Sequence, residues 1–153
     1  MKGFKPDIQV LNNTTVKVSI IVARWNSFIT EKLLNSAKST LIENGLSANH
    51  IQIMYVPGCF ELPYAAKYSL AQADAAIVIG CLIQGDTPHF EYIAQACAHG
   101  TMQVSLETLK PCVFAVLTVL NETQALERTD ENRVGDKGKE AALSLIQLLN
   151  LKS

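Results

Sequence analysis

Ala75-Ala76-Ile77-Val78-Ile79-Gly80-Cys81-Leu82-Ile83 contains no polar side chain in nine consecutive positions. A run that is apolar at every position, and not at every second one, is the mark of a strand covered on both faces. It is less than half the length of about twenty residues that a membrane-spanning helix needs. A doubly covered strand requires helices above and below its sheet, which confines the chain to layered α/β architectures.

The rest of the sequence supplies such layers. Val16-Lys17-Val18-Ser19-Ile20-Ile21-Val22-Ala23 is a β-branched run, and Ile51 to Val56 and Pro111 to Val119 read as further strands. Between them the apolar spacing changes to that of helices. Ile29, Leu33, Leu34, Ala37 and Leu41 share one helical face, with Asn26 or Ser27 as cap and Gly45 as stop. A short helix fits 60–71, provided that Pro63 lies in its first turn. A long helix carries Phe90, Ile93, Ala94, Cys97, Thr101 and Val104 on one stripe, and helices at about 122–128 and 137–150 close the chain. Four strand–helix units with an extra terminal helix predict a parallel sheet with right-handed crossovers. At 153 residues the chain is one domain, 1–153.

Charge narrows the function. Thirteen Lys and Arg against fourteen Asp and Glu leave a net charge of −1. That excludes a chain built chiefly to wrap nucleic acid or an anionic membrane, while leaving room for a local anion site. Cys59, Cys81, Cys97 and Cys112 form no CxxC pair, and His50, His89 and His99 show no ligand spacing with them, so no metal is expected. No apolar segment follows Met1-Lys2-Gly3 to mark a secretory signal, and the expectation is a cytoplasmic protein with reduced, buried thiols.

Parallel sheets bind ligands at the carboxyl ends of their strands, so chemistry is sought in the turns that follow them. The first turn has neither GxGxxG nor GxxxxGK[ST]; it carries Trp25, the single tryptophan, which either packs under the next helix or offers a face to a flat heterocycle. In the second, Pro57-Gly58-Cys59-Phe60-Glu61, Cys59 is a packed thiol or a nucleophile with His89 as base, although the GxSxG spacing is absent. Glu61 either binds polyol hydroxyls or complements a helix start. In the third, Gly85-Asp86-Thr87-Pro88-His89 offers a cap residue, a proline at the first helical position and a histidine in the first turn. That is anion-site geometry, with an imidazole able to exchange protons near neutrality or simply to be solvated. The polar stretch 127–138 reads as a charged loop in which Arg128 is suited to a phosphate fork and Lys137 to a point charge.

Taken together, Val56-Pro57-Gly58-Cys59-Phe60-Glu61-Leu62-Pro63, Gly85-Asp86-Thr87-Pro88-His89-Phe90-Glu91-Tyr92, Gln103-Val104-Ser105-Leu106-Glu107-Thr108, Phe114, Glu127-Arg128 and Gly135-Asp136-Lys137-Gly138 resemble the lumazine synthases, in order, from about residue 17 to 151. The resemblance implies a three-layer flavodoxin-like sandwich with a four-stranded parallel sheet flanked by helices on both faces. It implies condensation of 5-amino-6-ribitylamino-2,4-pyrimidinedione with 3,4-dihydroxy-2-butanone 4-phosphate, releasing phosphate and water, in riboflavin biosynthesis and without cofactor or metal. By position, Trp25 would stack on the pyrimidine, Cys59, Phe60 and Glu61 would bind the ribityl chain, and Cys81, Leu82 and Ile83 would line the heterocycle. Asp86 and Thr87 would contact phosphate and His89 would shuttle protons. A neighbouring subunit would complete the site with Phe114 and Arg128, with Lys137 close by.

The implied partners are further copies, as a homopentamer or a higher assembly of pentamers with residues 1–15 as an arm on a neighbour, and a functional link with riboflavin synthase. Nucleic acid and membrane are not among them. Three departures from the family pattern stand out: Trp25 where Phe is commoner, Gln84 for a frequent Arg, and about one extra residue between Arg128 and Lys137. Two other functions share part of the pattern, a flavin- or lumazine-binding relative with little turnover and a hydrolase using Cys59. His89 together with Arg128 speaks against pure storage, which needs no proton shuttle.

Overall fold

A computed structural model of the chain describes residues 6–7 and 9–151. Four strands, β1 (Val18–Ala23), β2 (Ile51–Val56), β3 (Ala75–Ile83) and β4 (Cys112–Val119), form one parallel sheet in the order β2-β1-β3-β4. The helices are α1 (Ser27–Glu43), α2 (Leu62–Ser69), α3 (His89–Thr108), α4 (Glu122–Glu127) and α5 (Lys137–Asn150). This is the expected three-layer sandwich, and the run that opened the argument is β3, flanked by β1 and β4.

Each face of the sheet has its own core. On one, Val18, Ile20 and Val22 of β1 and Ile77 and Ile79 of β3 pack against Ile29, Leu33 and Leu41 of α1 and Leu145 and Ile146 of α5. On the other, Ile21, Ala23, Ala76 and Val78 meet Leu62, Ala65 and Ala66 of α2 and Cys97 and Val104 of α3. Alternate residues of one strand thus enter opposite cores, which is why β3 is apolar throughout and β1 is so at every position but Ser19. α1 and α5 approach so closely that a side chain at Gly138 would collide with the backbone of Leu33.

The element boundaries differ from the expected ones for local reasons. β1 begins at Val18, two residues into the β-branched run, because the Lys17 backbone bonds to Asp74: its N–H donates to the Asp74 carboxylate and its carbonyl accepts from the Asp74 N–H. Pro63 lies in the first turn of α2, as required, and Gly45 ends α1 with φ 111°. The polar stretch after α4 is not wholly loop. Thr129–Asp130 (β5) and Gly135–Asp136 (β6) form a small antiparallel hairpin, fastened where the Lys137 N–H donates to the Arg128 carbonyl. Asp136 caps α5, accepting from the N–H groups of Gly138 and Lys139, and also accepts from Ser36 of α1.

Residues 1–5 of the expected arm lie outside the described residues, as does Ile8. Its described part rests on its own chain: Leu11 is buried and donates to the Asn44 carbonyl, and Asn150 of α5 bonds to the Asn12 N–H and the Val10 carbonyl. No helix among the described residues is long and apolar enough to cross a membrane.

Candidate active site

The chain order makes β1 the centre of departure: β2 lies on one side of it and β3 on the other. Between the carboxyl ends of β1 and β3, where helices leave for opposite faces, an open-sided sheet leaves a crevice. A cleft of about 570 Å³ lies there, lined by Trp25 and Asn26, by Pro57 to Glu61, by Cys81 to Ile83, and by His89 and Ile93. Its walls are therefore the ends of three strands, and its rim is the start of the long helix α3.

Trp25 is 74% exposed, so it does not pack under α1; of the two readings for it, the open face is the one the fold presents. Its N–H donates to the Pro57 carbonyl at 3.3 Å, and its Cδ1 lies 3.4 Å from where a β-carbon on Gly58 would be. Arg24, just before it, stacks over the Tyr55 ring at 4.9 Å, and the Tyr55 hydroxyl donates to Glu31. Burial pushes that phenol above its usual range, with the Glu31 carboxylate adding to the effect.

The second turn winds into a single 3-10 turn, Cys59–Glu61, whose Glu61 carboxylate accepts from the Gly58 N–H at 2.9 Å. Phe60 is 60% exposed beside it. Cys59 itself points inward. It is 4% exposed with its sulfur over Gly80, and burial pushes its thiol up to about 12, with Cys97 close by adding to the shift; this is the placement of a packed thiol and not of a nucleophile presented to the cleft. All four cysteines are buried and unpaired.

In the third turn Pro88 occupies the cap position and not the first helical one, and no side chain caps α3. Asp86 and Thr87 are exposed in the loop before it, and neither lines the cleft. His89 is the first residue of α3 and faces the cleft, at the positive end of a helix of 20 residues. The N–H groups of His89 and Phe90 have no partner within the helix, whereas those of Glu91 and Tyr92 donate to the Pro88 carbonyl.

Phe114, Arg128 and Lys137 are not brought to this cleft within one chain. Phe114 lies on edge strand β4 and is 39% exposed. Arg128 follows α4 and donates from Nη1 to the Gln124 carbonyl at 2.8 Å. Lys137 is paired with Glu140 at 2.7 Å. Sequence reasoning passed over Asn26, Gly58 and Ile93 as site residues. The signal for Asn26 was its place after a strand, where a left-handed turn suits asparagine; Ile93 shows only as a member of the helical stripe. Among the described residues no cluster of three or more His, Cys, Asp or Glu side chains is placed to hold a metal ion.

Comparison with known proteins agrees with the motifs. The family model for 6,7-dimethyl-8-ribityllumazine synthase matches residues 15–153. A protein of Porphyromonas gingivalis named 6,7-dimethyl-8-ribityllumazine synthase is 43% identical over 139 residues, which span 90% of this chain and 86% of that one. On its sequence, its fold and this match, the chain belongs to the 6,7-dimethyl-8-ribityllumazine synthase family.

Proposed function

We propose that the chain catalyses the condensation of 5-amino-6-ribitylamino-2,4-pyrimidinedione with 3,4-dihydroxy-2-butanone 4-phosphate to 6,7-dimethyl-8-ribityllumazine, releasing phosphate and water. The observation that carries this reading is the convergence of an open indole, a carboxylate and an imidazole in one cleft: Trp25, Glu61 and His89. A flat ring stacks on Trp25 and passes between it and the Cys81–Ile83 edge. The ribityl hydroxyls bond to the Glu61 carboxylate and to backbone groups of Cys59 and Phe60. Imine formation, phosphate elimination and ring closure each move a proton, and His89 is the titratable side chain at the mouth to move it. The phosphate lies at the rim just outside the cleft lining, with Asp86 and Thr87 contacting it through the α3 N-terminus.

A second copy completes this site with Phe114 and Arg128, which within one chain face elsewhere, and Lys137 adds a nearby charge. Exposed apolar side chains support such association: Tyr92, Met102 and Leu106 on α3 are 70%, 60% and 67% exposed. We take the assembly to be a homopentamer or a higher assembly of pentamers, with the arm of residues 1–15, tied to its own chain at Leu11 and Asn12, also lying against a neighbouring subunit. The four unpaired thiols suit a reducing cytoplasm. The product is the substrate expected of a riboflavin synthase, the functional partner of this step.

The test is a dual assay on the purified chain. The reading requires lumazine and inorganic phosphate to appear together in equal amounts. Lumazine binding with no phosphate release would instead make the chain a lumazine- or flavin-binding relative.

A further inference from the structure

One polar side chain in the cleft wall has no part in the steps above. Asn26 adopts the left-handed conformation, with φ 59° and ψ 44°. Residues other than glycine seldom enter this region, and asparagine enters it at least cost. At a helix start asparagine ordinarily uses its side chain to accept from the first turn. Here it does not. The Asn26 carbonyl accepts from Ile29 and Thr30 to open α1, while the side chain makes no cap bond. Its Nδ2 instead donates at 2.8 Å to the carbonyl of Cys81, at the far wall of the cleft.

The preceding residue is Trp25. Its own N–H is fixed to Pro57, and its ring edge lies against Gly58, so the indole is held on the β2 side by backbone contacts. Asn26 supplies the tie on the β3 side. We infer that Asn26 is a positioning residue: its amide couples the Trp25 turn to Cys81 and so sets the slot between the indole and the Cys81–Ile83 edge that receives a flat heterocycle. This rests on the reading of the cleft given above and adds to it the group that sets ring affinity. Asn26 acts through Trp25 and need not touch the reacting atoms.

Two variants separate the backbone conformation from the hydrogen bond. Asn26→Gly keeps the left-handed turn without strain but has no amide. Asn26→Asp keeps the size and the tolerance for that turn, yet its carboxylate cannot donate to a carbonyl. Each is compared with the wild type in thermal midpoint, in affinity for 6,7-dimethyl-8-ribityllumazine, and in kcat and in KM for each substrate. Both variants are expected to bind the lumazine, and the pyrimidine by KM, about 3- to 10-fold more weakly, the loss of one neutral hydrogen bond. KM for the butanone phosphate is expected to stay unchanged, which a general loosening of the fold would not allow. Wild-type lumazine affinity in Asn26→Asp overturns the inference, as does an equal rise in both KM values together with a lowered midpoint. Failure of the underlying reading is distinct: the wild type itself then neither binds lumazine nor turns over the two substrates, and the inference falls with it.

Discussion

Cys59 lies directly over Gly80, so that a β-carbon at position 80 would sit 2.5 Å from the Cys59 sulfur. The close approach lets the turn after β2 settle onto the middle of β3, and it places Glu61 and Phe60 at the cleft. Gly80→Ala is expected to lower stability by about 1–3 kcal/mol, the usual cost of overpacking a filled core. Cys59→Ala in the same chain should recover part of this and no more, because Leu62 and Val116 also come within 3.3 and 3.4 Å of the added carbon. Urea unfolding of the four proteins measures the coupling; strictly additive losses would show that the thiol and position 80 do not touch.

The thiols make a second prediction, in pH. Burial raises Cys59 and Cys112 to about 12, and Cys81 and Cys97 to about 11, from an ordinary value of 9.0. A raised folded value favours the neutral form. The stabilisation is therefore complete below pH 9 and is lost as pH climbs through the folded values toward 12. The thermal midpoint should fall steadily above pH 9, and iodoacetamide at pH 8 should leave the native thiols unmodified while labelling all four cysteines in denaturant. Cys59→Ser should retain most turnover, and a dead enzyme would restore the nucleophile reading.

The sheet was legible because burial on two faces imprints itself on every residue of β3 and on all of β1 but Ser19. The helices were legible from their apolar spacing, and the cleft from the rule that strand ends carry ligands. What escaped is of a different kind. The hairpin of β5 and β6 is too short for any alternation to show; Asp136 and the Lys137 backbone hold it in place. Asn26 is the cap of α1 that its type and position suggested, but only the fold reveals that its side chain leaves the helix start and its amide reaches Cys81. Trp25 could be assigned to neither solvent nor core from sequence, since exposure at a strand end depends on where the next helix leaves. Phe114 and Arg128 carried a family signal but no spatial one, and a single chain does not bring them to the cleft.

Arg128 gives a prediction about phosphate. Arg128→Ala should raise KM for the butanone phosphate far more than for the pyrimidine, and Lys at this position should restore only part of the loss, because an ammonium cannot match a guanidinium fork. Mixing the impaired His89→Ala and Arg128→Ala variants and allowing subunits to exchange should raise activity above that of either alone, since a fraction of sites then draws both residues from intact copies. Absence of complementation after verified exchange would place the whole site within one chain.

Trp25 supplies its own probe, being the single tryptophan. Product lumazine should quench its emission on binding, and riboflavin should compete for the same pocket. Trp25→Phe should keep most catalysis, whereas Trp25→Ala should weaken ring binding by roughly tenfold, equivalent to about 1.4 kcal/mol. Unchanged emission at saturating lumazine, with binding confirmed by calorimetry, would contradict stacking on the indole.

The central claim is that the cleft at the β1–β3 crevice performs the condensation with His89 moving protons. Its most direct test is the turnover number of His89→Ala beside its affinity for lumazine. Loss of a positioned acid–base group should lower kcat by about 100-fold, leaving the residual rate that bound and aligned substrates retain. Lumazine affinity should be nearly unchanged, because the ring rests on Trp25 and the Cys81–Ile83 edge. Wild-type turnover in His89→Ala, with the variant folded and binding lumazine normally, would contradict the account.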